Sequence, residues 1–137
     1  MSAKHTVSWN DESGGHDSTE SVDTIDLLIR KLNGLSRNCV MIFDDPQTIG
    51  VGGGENGKVI VYRTEDGATF YNLIGDQKAD GTTELFACGQ PGEFPDRTIV
   101  DIGIAALAVR EFLSGKPSSF VWEINEEIGR ASCRERV

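Results

Sequence analysis

Apolar positions along the chain change their spacing, and each change marks an element. Residues 4–9, KHTVSW, have the make-up of a first strand. The stretch NDESGGHDSTE that follows has two glycines and no large apolar side chain, and it reads as a loop. Within it Asp17 and Glu20 stand three apart, the spacing of a capping box with an acidic cap. Val22, Ile25, Leu28, Ile29 and Leu32 then recur at the spacing of a helix with one buried face, with Gly34 as its stop. The apolar run NCVMIF, residues 38–43, predicts a strand covered on both faces, broken by Asp44-Asp45-Pro46. TIGVG, KVIVYR and ATFYNL predict successive strands, with Glu65-Asp66-Gly67 turning between the last two, and TELFAC predicts another. GQPGEFPDR, which holds two of the four prolines, reads as a loop. A second helix is expected to begin near Thr98 or Ile99. It carries Ile102, Ala105, Ala106, Val109, Phe112 and Leu113 on one side and ends at Gly115 and Pro117. SSFVWEI closes the series as a strand with Phe120 and Trp122 on one face. The order strand, helix, several strands, helix, strand predicts an α+β domain: a mostly antiparallel sheet with two main helices.

The segment GVGGGENGKV, Gly50–Val59, admits two readings. Gly52–Lys58 fits the first seven positions of a phosphate-binding P-loop, but the eighth, which supplies the magnesium-binding hydroxyl, is Val59. A P-loop opens a helix, whereas KVIVYR favours a strand. Asn56-Gly57 is also the strongest short signal for a hairpin turn with two positive φ values. The hairpin is the better reading. A small nucleotide-binding or enzymatic domain using residues 50–58 remains the alternative function.

Composition narrows the function classes. The chain has 137 residues, of which 38% are hydrophobic, enough for one core. Its apolar runs are too short to span a bilayer and its first residues lack a signal-peptide pattern, so a cytoplasmic protein with no membrane partner is expected. A net charge of −9 disfavours direct nucleic-acid binding and suits a basic macromolecular partner, or simply solubility. Cys39, Cys88 and Cys133 lack metal-ligand spacing, and their odd number argues against a disulfide framework. Cys39 reads instead as a small buried hydrophobe. His5 and His16 both lie in the polar N-terminal segment. Asp44-Asp45 reads as a turn before Pro46 better than as a magnesium site, because neighbouring strand residues point to opposite faces. Glu123, Glu126 and Glu127 read as a solvated end. No hydrolase, zinc-deaminase or metalloprotease signature is present in the chain, so neither an enzyme nor a cofactor is expected.

The final stretch, EIGRASCRERV, resembles a translated sequencing-adapter oligonucleotide. The expected organisation is therefore a single domain over 1–126, with 127–137 outside the fold. Without Ile128–Val137, which carry three Arg and one Glu, the charge of −9 becomes −11.

GEFP (Gly92–Pro95), AVREFLSGKP (Ala108–Pro117) and FVWE (Phe120–Glu123), with VDTIDLLIRKL, IGVGGGENGKVIVY and ATFYNLIG before them, follow one another in a familiar order. In these stretches the chain resembles the Imm-one family of immunity proteins from bacterial polymorphic toxin systems, over residues 4 to 123. The resemblance implies a protein encoded beside a toxin, often one with a deaminase domain, that protects the producing cell by binding it. An acidic body of this kind would cover the basic mouth of a nucleic-acid deaminase. Within the motifs, Phe94 and Trp122 read as core-filling and Pro95 as the entry to the second helix. Contact residues belong in loops. The acidic candidates are Asp44, Asp45, Glu55, Glu65, Asp66, Asp76, Asp80 and Glu93, with Tyr71 or Phe94 as an aromatic anchor.

Overall fold

Val7, Val40, Ile42, Ile49, Val51, Val59, Val61 and Leu73 fall at alternate strand positions, and all are buried in one core. The computed structural model describes residues 4–44, 46–115 and 117–124. Along the chain it shows β1 (Lys4–Asp11), β2 (Gly14–Ser21), α1 (Val22–Arg30), β3 (Cys39–Asp44), β4 (Gln47–Gly53), β5 (Lys58–Thr64) and β6 (Phe70–Ile74). These are followed by β7 (Thr82–Ala87), β8 (Gln90–Pro95), β9 (Ile99–Asp101), α2 (Ile102–Ser114) and β10 (Val121–Ile124). The main sheet has the order β10-β6-β5-β4-β3-β1-β2, every pair antiparallel, and β9 joins the first half of β5. The α+β class with an antiparallel sheet and two helices is as the sequence predicts.

Both helices lie on one face of the sheet. Ile25 and Ile29 of α1, with Leu32 just after it, meet Ala105, Ala106, Ala108 and Val109 of α2 over the buried strand residues. The small α2 side chains let that helix sit close. Arg110 ties the helices together on the outside, reaching Asp23 at 3.0 Å and Asp26 at 3.3 Å, while Arg30 also holds Asp26 at 2.8 Å. Phe120 and Trp122 pack against the same core, and the Arg63 guanidinium lies 4.3 Å from the Trp122 ring centre.

The opposite face carries a separate hairpin, β7–β8. Leu85 and Ala87 turn inward onto Ile60, with Phe94 and Ile99 packed around them. Gly52 admits the hairpin, since a Cβ there would stand 2.9 Å from the Ala87 Cβ. The tip is fixed by Asn38, which is 3% exposed. Its backbone carbonyl accepts from the Cys88 and Gly53 amides, each at 3.0 Å, and its side-chain oxygen accepts from the Gly89 amide at 2.9 Å. The Asn38 side-chain amide donates to the Leu35 carbonyl, and Asn10 donates to the Asn38 side-chain oxygen.

The Gly50–Val59 segment forms the β4–β5 hairpin. Asn56 and Gly57 both have positive φ, +57° and +74°, and Lys58 continues straight into a strand. Other expectations need correction. NDESGGHDSTE is mostly a strand: β2 is an edge that pairs only with β1, so it needs no apolar side chains. Asp17 and Glu20 therefore lie in β2, and the α1 cap is Ser21, whose hydroxyl accepts from the Thr24 amide. The helix also ends at Arg30, before Gly34. GQPGEFPDR contains β8, where Pro91 and Pro95 are tolerated because the strand has a neighbour on one side only. The second helix starts at Ile102, because Ile99–Asp101 is used to pair with β5. Cys39 and Cys88 are joined in a disulfide, which the odd cysteine count concealed. The run at 38–43 is covered on both faces only at its start, and Phe43 remains 40% exposed. Glu126, Glu127 and the adapter-like tail lie outside the described residues.

Candidate functional site

β3 and β5 both run antiparallel to β4, so their C-terminal ends fall at the same end of the sheet. Asp44, at the end of β3, and Glu65 and Asp66, in the β5–β6 turn, are thereby brought to one side, all exposed. Two strand spacings separate the two groups, about 10 Å. The Asp66 carboxylate also builds its turn, accepting from the Ala68 amide at 2.8 Å and the Thr69 amide at 2.9 Å. Those amides, Thr69 first, hold its carboxyl below the usual range. Asp45 lies outside the described residues.

The remaining acidic candidates are elsewhere. Glu55 sits in the β4–β5 turn and Asp76 follows β6, both at the opposite end of the sheet, with Asp80 further along the loop to β7. Asp76 accepts from the Lys78 amide at 3.0 Å, closing that loop. Glu93 is on β8, directly across from Glu84 of β7, and both are exposed. Like charges in directly opposed positions destabilise a hairpin. Here the candidate Glu93 faces a second carboxylate, and a cation from outside would relieve the repulsion.

The two aromatic candidates are half-buried. Tyr71 shares the helix-side face of β6 with Leu73, at the level of Arg63 and Ile124. Phe94 packs against the core formed by Ile60, Leu85 and Ala87, between the hairpin and the sheet.

The glycine-rich loop has no free cradle for a phosphate. The Gly53 amide donates to the Asn38 carbonyl, the Gly54 amide to the Lys58 carbonyl and the Gly57 amide to the Gly54 carbonyl, at 3.0, 2.8 and 2.9 Å. The Lys58 ammonium is held 2.6 Å from Asp101. Among the described residues, no three His, Cys, Asp or Glu side chains are grouped to hold a metal, and no helix is long and apolar enough to cross a membrane.

A family model, Immunity protein Imm1, matches residues 15–119, from within β2 to the strand approach after α2. The chain belongs to the Imm1 family of immunity proteins. No curated protein matches it. The Imm1 match covers both helices, the whole β3–β6 meander and the β7–β8 hairpin. An Imm1 protein has a cognate toxin as its partner, so the acidic groups above are candidate contacts for a protein.

The sequence pattern of this Imm1 member gives no sign of Glu84 or Tyr62. Glu84 gains its meaning only from the β7–β8 register, which places it against Glu93. Tyr62 is paired with Gly50, and a Cβ at Gly50 would lie 2.5 Å from the Tyr62 ring. The ring therefore lies down across β4, an arrangement that needs the strand register to be seen. Burial pushes the Tyr62 phenol up.

Proposed function

We propose that this chain binds a cognate bacterial toxin of the nucleic-acid deaminase class and inhibits it by covering the active site, with no turnover of its own. The family match supports an immunity role, and the opposed Glu84–Glu93 pair is the observation that carries the reading toward a basic partner surface. A deaminase that draws in a nucleic-acid strand needs basic walls around its pocket. Carboxylates on the hairpin and at the Asp44–Asp66 end of the sheet would take the ground that phosphates occupy. The toxin is made inside the producing cell, so a cytoplasmic location follows from this role. Nucleotide binding by residues 50–58 is disfavoured, because the Gly53, Gly54 and Gly57 amides and the Lys58 ammonium are already engaged.

The test is to purify the toxin domain encoded beside this chain and follow deamination of a single-stranded oligonucleotide. An equimolar amount of the chain should abolish turnover in a one-to-one complex. Association should slow as salt is raised, as expected for opposite charges. Full deamination in the presence of excess chain refutes the reading.

A further inference from the structure

We infer that the toxin docks on the uncovered part of the sheet face opposite the helices, with Phe43 and Tyr62 at the centre of the contact. The inference rests on the toxin-binding reading above and adds the place.

The strand registers align side chains in rows across this face. One row runs Asp17, Ser8, Met41, Gly50, Tyr62, Asn72, Glu123 from edge to edge of the sheet. The next, toward the Asp44 end, runs Thr19, Thr6, Phe43, Thr48, Thr64, Phe70. The row on the other side, through Cys39, Gly52 and Ile60, is the one the β7–β8 hairpin covers. The hairpin thus covers one row; in the next two Gly50 and Thr64 are buried, Met41, Thr48, Tyr62, Asn72 and Phe70 are half-buried, and Thr6, Phe43, Asp17, Thr19 and Glu123 stay exposed.

Three observations argue that a partner completes the face. Phe43 is 40% exposed in the middle of the sheet, on β3, a central strand. Gly50 is kept free of a side chain so that the Tyr62 ring can lie flat over β4, which makes a smooth aromatic floor where a residue with a Cβ would make a bump. The apolar centre is also bounded by acid: Asp17 and Glu123 end the first row, and Glu65 stands in the turn just beyond Thr64. Among the described residues, the basic side chains at strand positions of this face are Lys4 at a corner and Lys58, which is bound to Asp101. Glu123 is itself met by Arg97 at 3.0 Å, so the acidic character is strongest at the Asp17 edge and the Glu65 turn. An apolar centre with an acidic margin fits a basic partner that offers an apolar anchor.

The size is right for an interface centre. Rows of six and five strand spacings outline roughly 350 Å², somewhat under half of the ~800 Å² that each partner gives to a standard interface. The turns and the outward residues of the hairpin supply the rim, where charges set the rate of encounter.

The experiment measures binding of the full chain to the toxin domain encoded beside it, for the unaltered protein and for Phe43→Arg, Thr6→Arg and Leu107→Arg. Thr6 is exposed next to Phe43 in the same row. Leu107 is 50% exposed on α2, on the other side of the molecule. Phe43→Arg and Thr6→Arg should each weaken binding tenfold or more with an unchanged melting temperature, while Leu107→Arg binds normally. If Phe43→Arg misfolds, Thr6→Arg decides the matter alone. Tight binding by both open-face variants overturns the docking face and leaves the proposed function standing. Selective loss in Leu107→Arg assigns the helix side instead and also overturns it. No binding by the unaltered protein overturns the function and the docking face together.

Discussion

Reduction of the Cys39–Cys88 bond should lower the melting temperature sharply. The two cysteines are 49 residues apart in sequence, and the bridge pins the β7–β8 tip to the start of β3. Closing a loop of that length in the unfolded chain is worth about 4 kcal/mol at 25 °C in the chain-entropy account. The native hairpin keeps its other attachments when the bond opens: the Asn38 hydrogen bonds and the Leu85–Ala87–Ile60 contact. The loss therefore falls mainly on the unfolded state, and the folded structure stays intact. For a domain of this size, between the ranges known for smaller and larger ones, the shift should be roughly 12–20 °C. The assay is thermal unfolding with and without a phosphine reductant, on protein carrying Cys133→Ser so that the third thiol cannot exchange. Unfolding of the Cys39→Ser/Cys88→Ser variant should match the reduced protein and ignore the reductant. A change of less than about 2 °C on complete reduction would show that this loop closure does not limit the unfolded chain, and the entropic reasoning would be wrong.

Two further outcomes are expected. Gly54→Ala should cost about 3 kcal/mol or more in urea unfolding, because Gly54 has φ +123° and a Cβ there would lie 2.5 Å from the Leu32 carbonyl carbon. Gly57→Ala, at φ +74° in open space, should cost only about 1 kcal/mol, and equal losses at the two sites would refute the close-approach argument. Stability should fall in acid: the Thr69 and Ala68 amides depress the Asp66 carboxyl, and the Ser119 hydroxyl and amide depress that of Glu111. A carboxyl depressed in the folded state gives stability that is present above its unfolded value, about 4, and is lost as pH falls through the folded one. The urea midpoint should therefore drop between about pH 5 and pH 3, and less steeply in Asp66→Asn; a flat profile would count against these contacts.

Much of the fold was legible because its strands obey a period of two and its helices a period of 3.6. Ile25 and Ile29, or Val59 and Val61, announce both the element and its buried face. What the pattern hides lies at edges. β2 is polar because one side of it has no neighbour, and β8 tolerates Pro91 and Pro95 for the same reason, so neither carries the pattern of a buried strand. The helix cap went to Ser21 because Asp17 and Glu20 had already been drawn into pairing with β1. The acidic loops could be named from sequence, but their grouping could not. Asp44 meets the Glu65–Asp66 end only through the directions of β3 and β5, and Glu84 meets Glu93 only through register. Phe43 and Met41 looked like ordinary interior residues, because a strand that is apolar on both faces does not say whose atoms will cover the second one.

The Asn38 junction makes the hairpin's attachment independent of its outward decoration. One carboxamide and one peptide group, with the sulfur bridge beside them, anchor the tip from beneath. Glu84, Phe86, Pro91 and Glu93, which look away from the sheet, have no part in that anchoring. Mutations can accumulate at those positions without loosening the cap. A lineage locked in rivalry with changing poisons would thus hold a replaceable fingertip on a fixed knuckle.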